Sequence, residues 1–215
     1  MFHGKRLSIL GDSISTYTGI SNDPNVNSTL YGHPCFYRKP FPIERTYWGR
    51  LMASLGLVLC VNNSWSGGNL SGRENSSAGV NRAHHLSTDQ GETPDFIIVF
   101  MGINDLGRNV PVETFSADYE RVLAMIANRY PDAWVCCVTL PDRSPSMKNA
   151  TERFNRAIGD AVAATGEHFF IADLFHSCLN NDCYYDNTVD GLHPDEDGMR
   201  MIAEVIEGAF RKKFA

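Results

Sequence analysis

Ser13 follows an apolar run and sits in a Gly11-Asp12-Ser13 turn, within the stretch "LSILGDSIST". A serine hydroxyl is a poor nucleophile unless a base stands within hydrogen-bond reach and a third group fixes the tautomer of that base. His193 is read as the one histidine closely preceded by a carboxylate in a tight turn: Asp190 lies three residues earlier in "VDGLHPDEDG", with Gly191 between them. Attack on a carbonyl also needs donors aimed at the oxyanion that forms, each worth ~3 kcal/mol in comparable sites. The backbone N–H of Ser13, a glycine N–H from "NNSWSGGNLSG" (Gly67 or Gly68), and the side-chain amide of Asn104 in "MGINDLG" would serve. These are the parts of an acyl-transfer site.

Taken singly each cluster has a plainer explanation. Gly-Asp-Ser after a strand is ordinary turn composition. Asn104-Asp105 could be a helix cap, and Asp-Gly-Leu-His-Pro could be a turn opening a helix. Their joint meaning depends on the elements that carry them. Five apolar runs, residues 6–10, 57–62, 95–101, 133–139 and 167–172, alternate with segments in which apolar residues recur at helical spacing. That alternation predicts an α/β domain with a mainly parallel sheet. Four consecutive large apolar residues in the third run mark it as a central strand buried on both faces. Helices are expected around Trp48–Leu55, Phe115–Ile126, Phe154–Val162 and Met199–Phe210. The last has Asp195, Glu196 and Asp197 in its first turn and Arg211, Lys212 and Lys213 at its end, as helix polarity favours. In such a sheet ligands bind beyond the carboxyl ends of the strands, so the four polar clusters should converge there.

The four blocks "GDSIS", "NNSWSG", "GIND" and "DGLHP", in this order over residues 7–210, resemble the SGNH hydrolases of the GDSL esterase/lipase superfamily. The resemblance implies a three-layer flavodoxin-like fold with a five-stranded parallel sheet flanked by helices. It implies Ser13 as nucleophile, His193 as base and Asp190 as its orienting acid, with an oxyanion hole of Ser13 N–H, Gly67 N–H and Asn104. One position departs from the family pattern: Ser64 stands where the second block has its first glycine, so Gly68 stays open as the donor. Asp12, Trp65, Gly68 and Asp105 share the same edge and are candidates to line the substrate site. For Asp12 and Asp105 the alternative is that a short carboxylate braces its own loop.

The remaining features narrow the partner class. The 215 residues read as a single domain, with a long polar and aromatic insertion at about 16–44 and an Asn-, Ser- and Gly-rich segment at 63–82. A net charge of −6 gives no basic footprint for nucleic acid. No run of about 18 apolar residues spans a membrane, so a cytoplasmic chain, or an exported one whose signal is already removed, is expected. No phosphate-binding glycine motif occurs, and no pattern fixes an oligomeric state. Cys60, Cys136 and Cys137 read as small buried hydrophobes, whereas Cys178 and Cys183 flank a polar loop and could pair in an oxidising compartment. His84 and His85 read as surface residues of a short helix, and His3, His33, His168 and His176 have no constellation around them. No metal or organic cofactor is required. The polar insertion, with Tyr31 and Tyr37, and Trp65 as possible stacking faces, favours a short-acyl ester on a small molecule or oligosaccharide. A lysophospholipase, an acyl thioesterase or a non-catalytic binding module are the alternatives.

Overall fold

Residues 1–20, 41–142, 145–179 and 183–215 are described by a computed structural model. The insertion residues 21–40, including Tyr31 and Tyr37, and the side chains of Cys178 and Cys183 lie outside that set. Each apolar run forms a parallel strand: β1 (Arg6–Gly11), β2 (Val58–Ser64), β3 (Phe96–Phe100), β4 (Trp134–Val138) and β5 (Phe169–Ala172). Their spatial order is β2-β1-β3-β4-β5. β3 is the central strand and all five of its residues are buried, as its unbroken apolar run requires. The chain leaves β1 outward to β2 and returns to β3 on the other side of β1. The carboxyl ends of β1 and β3 therefore flank the switch point at which such sheets open a crevice.

The helices of chain order are α1 (Tyr47–Leu55), α2 (Gly79–Arg82), α3 (Ile103–Gly107), α4 (Val112–Arg129), α5 (Lys148–Thr165), α6 (Leu174–Leu179), α7 (Cys183–Asp186) and α8 (Glu196–Lys213). α1 packs on α8 and α4 packs on α5, which places helices on both faces of the sheet. Each long helix presents its apolar stripe inward. Met199, Ile202, Ile206 and Phe210 of α8 and Phe115, Tyr119, Val122, Leu123 and Ile126 of α4 are fully buried, at roughly 1.5–3 kcal/mol for each large side chain. α8 starts where Asp195 caps it by accepting the Gly198 N–H at 2.9 Å. Asp195 is thus the cap and not a first-turn residue. The lower end of α8 is anchored by rings: Phe210 and Phe214 pack on Phe96 and Phe170 with centroids 5.3–6.1 Å apart.

Cys60 departs from the expected buried role. The β1–β2 register steps from Leu7↔Leu59 to Ser8↔Val61, which leaves Cys60 as a half-buried bulge residue. Ser8 Oγ replaces the missing ladder partner by accepting the Val61 N–H at 3.2 Å. Cys136 and Cys137 are fully buried in β4, and burial pushes the Cys137 thiol up to about 12.

Candidate active site

β1 ends in Gly11, and the chain turns at Asp12 into a short 3-10 segment, Ser13–Ser15. Only glycine fits at position 11, because a Cβ there would lie 2.5 Å from Ser15 Oγ and 2.7 Å from Ser64 Oγ. Asp12 Oδ1 accepts the Ile14 N–H at 3.0 Å, capping the turn. The Ser15 carbonyl accepts from Trp48 Nε1 at 3.1 Å and from Asn62 Nδ2 at 2.9 Å, while Ser15 Oγ meets Tyr47 Oη at 2.7 Å. Asn62 in turn accepts from Ser64 Oγ. The serine at the departing position therefore belongs to the network beneath the turn. Ser13 is held on this platform with 4% exposure.

The segment before α8 brings the imidazole. Thr188 and Pro194 form an antiparallel bridge, and the Val189 N–H donates to the His193 carbonyl at 2.9 Å, closing a tight hairpin. Within it, Asp190 Oδ1 accepts the N–H groups of Leu192 and His193 at 3.1 and 2.8 Å. Its Oδ2 lies 2.9 Å from His193 Nδ1. Burial acts to raise the Asp190 pKa, but these backbone donors and the adjacent ring outweigh it and hold the carboxylate below its ordinary range. A charged acceptor at Nδ1 favours the tautomer with the proton there, leaving Nε2 as an acceptor 2.8 Å from Ser13 Oγ. A hydroxyl, an imidazole and a carboxylate hydrogen-bonded in series can transfer the hydroxyl proton as the oxygen attacks.

The structure places the donors expected for an oxyanion in the adjoining loops. The Gly68 N–H closes a turn by donating to the Trp65 carbonyl at 3.0 Å. The N–H groups of Gly67 and Ser13 have no protein acceptor among the described residues. Gly67 is therefore the glycine with a donor to offer, and its φ of +69° suits glycine alone at low cost. Asn104 lies in α3, and one hydrogen of its Nδ2 is held by the Gly68 carbonyl at 3.0 Å. The second hydrogen has no protein partner among the described residues, and the first one ties the amide to the Gly67-Gly68 loop.

Asp12 and Asp105 are buried, at 1% and 0% exposure. Both Asp105 oxygens accept backbone N–H groups, from Leu70 at 2.7 Å and Ser71 at 2.9 Å. That geometry supports bracing of the loops and not contact with a ligand. Burial raises both carboxyls. For Asp12 the rise reaches about 7, although the Ile14 N–H and the Arg82 guanidinium favour its charged form. Trp65 is half-buried, with its backbone N–H donating to the Gly11 carbonyl at 3.2 Å.

Arg82 was not signalled by the sequence. It lies at the end of α2 with 5% exposure, and its guanidinium donates to the carbonyls of Ser77 (2.8 Å), Gly11 (3.0 Å) and Asn63. One side chain thus ties the end of β1, the end of β2 and the following loop together. A lone arginine in a polar loop looks like a solvated charge, and only tertiary contact reveals the hub.

A second carboxylate–imidazole pair corrects the expectation that His193 alone has such a neighbour. His176 Nδ1 lies 2.7 Å from Asp173 Oδ2, and the His176 N–H donates to Asp173 Oδ1 at 3.1 Å. Asp173 follows β5 directly, so the same three-residue spacing recurs at the start of α6. The side chain of His176 is 77% exposed, and no hydroxyl reaches its Nε2 among the described residues. His84 and His85 are exposed, just beyond α2. No cluster of three metal-ligating side chains occurs among the described residues, and none of their helices is long and apolar enough to cross a membrane.

Comparisons with known proteins bear on this arrangement. The model of the GDSL-like lipase/acylhydrolase family matches residues 9–201. No curated protein matches the chain. Among solved structures, a Bacteroides uniformis protein assigned to the GDSL-like lipases is 25% identical over 97% of this chain and 96% of its own, with a TM-score of 0.73. A Bacteroides ovatus protein with the same assignment is 24% identical over 97% and 99%, with a TM-score of 0.74. A family 2 carbohydrate esterase from Corynascus thermopiles, which carries a carbohydrate-binding domain, is 17% identical over 100% of this chain and 68% of its own, with a TM-score of 0.70. The last two likenesses are of fold. The family match runs from within β1 into α8 and takes in Ser13, Gly67, Asn104, Asp190 and His193, so the chain belongs to the GDSL-like lipase/acylhydrolase family and is a carboxylic ester hydrolase.

Proposed function

We propose that the protein hydrolyses short-chain esters, principally acetyl esters of polar alcohols such as carbohydrate, through an acyl-enzyme on Ser13. The observation that carries this reading is the continuous series Ser13 Oγ, His193 Nε2, His193 Nδ1 and Asp190 Oδ2, with links of 2.8 and 2.9 Å. Ser13 Oγ attacks the ester carbonyl carbon as Nε2 takes the hydroxyl proton. The oxyanion receives hydrogen bonds from the N–H groups of Ser13 and Gly67 and from Asn104 Nδ2. The bond to the alcohol oxygen then breaks, and the imidazolium returns its proton to that oxygen. Water attacks the acyl carbon while Nε2 takes one of its protons. Ser13 Oγ leaves with that proton and the acid is released. General-base assistance contributes typically 10²–10⁴-fold.

One likeness supports a polar alcohol: the fold is that of the Corynascus carbohydrate esterase. The test is a panel of p-nitrophenyl acetate, butyrate and decanoate with acetylated oligosaccharides, against a Ser13→Ala control. Acetate should be the best of the three nitrophenyl esters. A preference for decanoate would overturn the short-chain reading, and undiminished turnover by Ser13→Ala would overturn the mechanism. A fluorophosphonate that fails to label Ser13 would point to a non-catalytic module.

A further inference from the structure

Arg108 follows α3 one helical turn beyond Asn104, and its exposed guanidinium lies along the Gly67 loop. Nη1 donates to the Gly67 carbonyl at 2.7 Å and to Oδ1 of Asn69. Nη2 lies 3.4 Å from the point where a Cβ on Gly67 would stand. Both partners are neutral. No carboxylate comes within 4.0 Å of Arg108 among the described residues; Arg45, Arg50, Arg73 and Arg211 have one, and Arg121, Arg129 and Arg156 share the lack of one, but of the residues without one named here only Arg108 reaches into the loops around Ser13. The acid nearest in its own helix, Asp105, already accepts two backbone N–H groups and is buried.

A guanidinium has five N–H donors. With Nη1 used twice, the Nε–Nη2 edge remains, and this edge matches the paired oxygens of a carboxylate, sulfate or phosphate. The two Nη1 bonds fix the plane of the group, so little further ordering accompanies ligand binding. The cation stands beside the residue whose N–H is positioned for the oxyanion, in a chain whose net charge is −6. Its charge makes the edge of the crevice more attractive to an anion than the net charge alone would.

We propose that Arg108 forms an oxyanion subsite beside the Gly67 loop, and that the enzyme prefers esters bearing a second, anionic group over their neutral counterparts. This inference rests on the reading that ester hydrolysis occurs at Ser13. The anionic group belongs to the alcohol or the acyl part of the ester and is bound intact. The reacting acetyl group itself stays neutral. A charge-assisted bidentate contact corresponds to roughly 10- to 100-fold in kcat/KM, weakened by added salt.

The experiment compares 4-acetoxybenzoate with its neutral methyl ester, and adds 4-acetoxybenzenesulfonate and 4-acetoxyphenyl phosphate to separate the three oxyanions. The wild type should favour at least one anionic ester over the neutral one by about 10-fold or more at low salt. Arg108→Gln should remove that ratio, and Arg108→Lys should restore part of it. Equal rates on neutral and anionic esters in the wild type would overturn the subsite. So would an equal loss on both classes in Arg108→Gln, which would make the side chain a brace for the Gly67 loop only. If Ser13→Ala retains full activity, the nucleophile reading fails, and the subsite is then judged by binding. Calorimetric titration of Ser13→Ala with 4-acetoxybenzoate should show tighter binding than the same titration of Ser13→Ala/Arg108→Gln, and equal affinities would overturn the proposal.

Discussion

His193 Nε2 lies 2.8 Å from Ser13 Oγ although 180 residues separate the two in sequence. The contact joins the turn after β1 to the hairpin before α8. If the pair acts as one unit, Ser13→Ala and His193→Ala should each lower kcat by on the order of 10⁴-fold, and the double variant should be no worse than either. Steady-state rates on p-nitrophenyl acetate measure this. Multiplicative losses in the double variant would mean that the two groups act independently.

Asp190 is the partner whose charge depends on the hairpin. Its oxygens accept two backbone N–H groups and the ring of His193, which keep it ionised well into acid. A carboxylate at Nδ1 favours the imidazolium, and burial of the ring opposes it, so the acid limb of kcat/KM reports the balance of the two. Asp190→Asn should move that limb to lower pH and reduce the plateau by roughly 10²–10⁴-fold. A wild-type profile that stays flat down to pH 5 would remove His193 as the base.

Asn104 is held to the Gly68 carbonyl, and its second amide hydrogen has no partner among the described residues. On the proposed oxyanion role, Asn104→Ala should lower kcat by about 10²-fold or more with little change in KM, because such a donor would act on the oxyanion and not on the ground-state ester. Gly67→Ala should also lose activity, through the cost of a Cβ at φ +69°. A rise in KM alone in Asn104→Ala would place the amide on substrate binding instead.

Arg82 makes a stability prediction. Replacing it with methionine leaves the buried carbonyls of Gly11, Asn63 and Ser77 without this donor, which should destabilise the fold by roughly 3 kcal/mol or more. For a chain of this length that corresponds to a fall in Tm of about 10 °C. Thermal unfolding followed by circular dichroism checks it, and a change within about 2 °C would contradict the hub role.

Much of this was legible in local pattern. The five strands, the central place of β3 and the long helices follow from apolar periodicity, and the four polar clusters do stand at the sheet's carboxyl edge. The helices α3, α6 and α7 escaped, and the short helix read at His84 and His85 lies instead at Gly79–Arg82, because one turn offers no period to detect. Gly67 and Gly68 are adjacent and chemically identical, and only the turn bond from Gly68 to the Trp65 carbonyl distinguishes their N–H groups. At the Cys60 bulge a serine on the neighbouring strand supplies the acceptor that the ladder lacks, which strand periodicity does not reveal. Asp173 and His176 had the same spacing as Asp190 and His193, yet what distinguishes the two pairs is the presence of Ser13. These are tertiary facts.

Asp12 should make the protein less stable as pH rises from about 4 to about 7. Its carboxyl is fully buried and titrates at about 7 in the fold, against 3.8 for an ordinary aspartate. Below pH ~4 both folded and unfolded states are protonated. Between there and pH 7 the folded state holds a proton that the unfolded state has released, so stability falls with rising pH. Above 7 both are ionised and the penalty is constant, at most of order 4 kcal/mol. The positive charge of Arg82 opposes the rise and the carboxyl of Asp105 adds to it. Asp12→Asn keeps an oxygen for the Ile14 N–H and has no charge to bury. Urea unfolding at pH 5 and pH 8 should therefore show the wild type losing stability relative to Asp12→Asn by a few kcal/mol across that interval. Parallel pH dependences in the two proteins would mean that Asp12 is already ionised beneath Ser13, held in that state by Arg82.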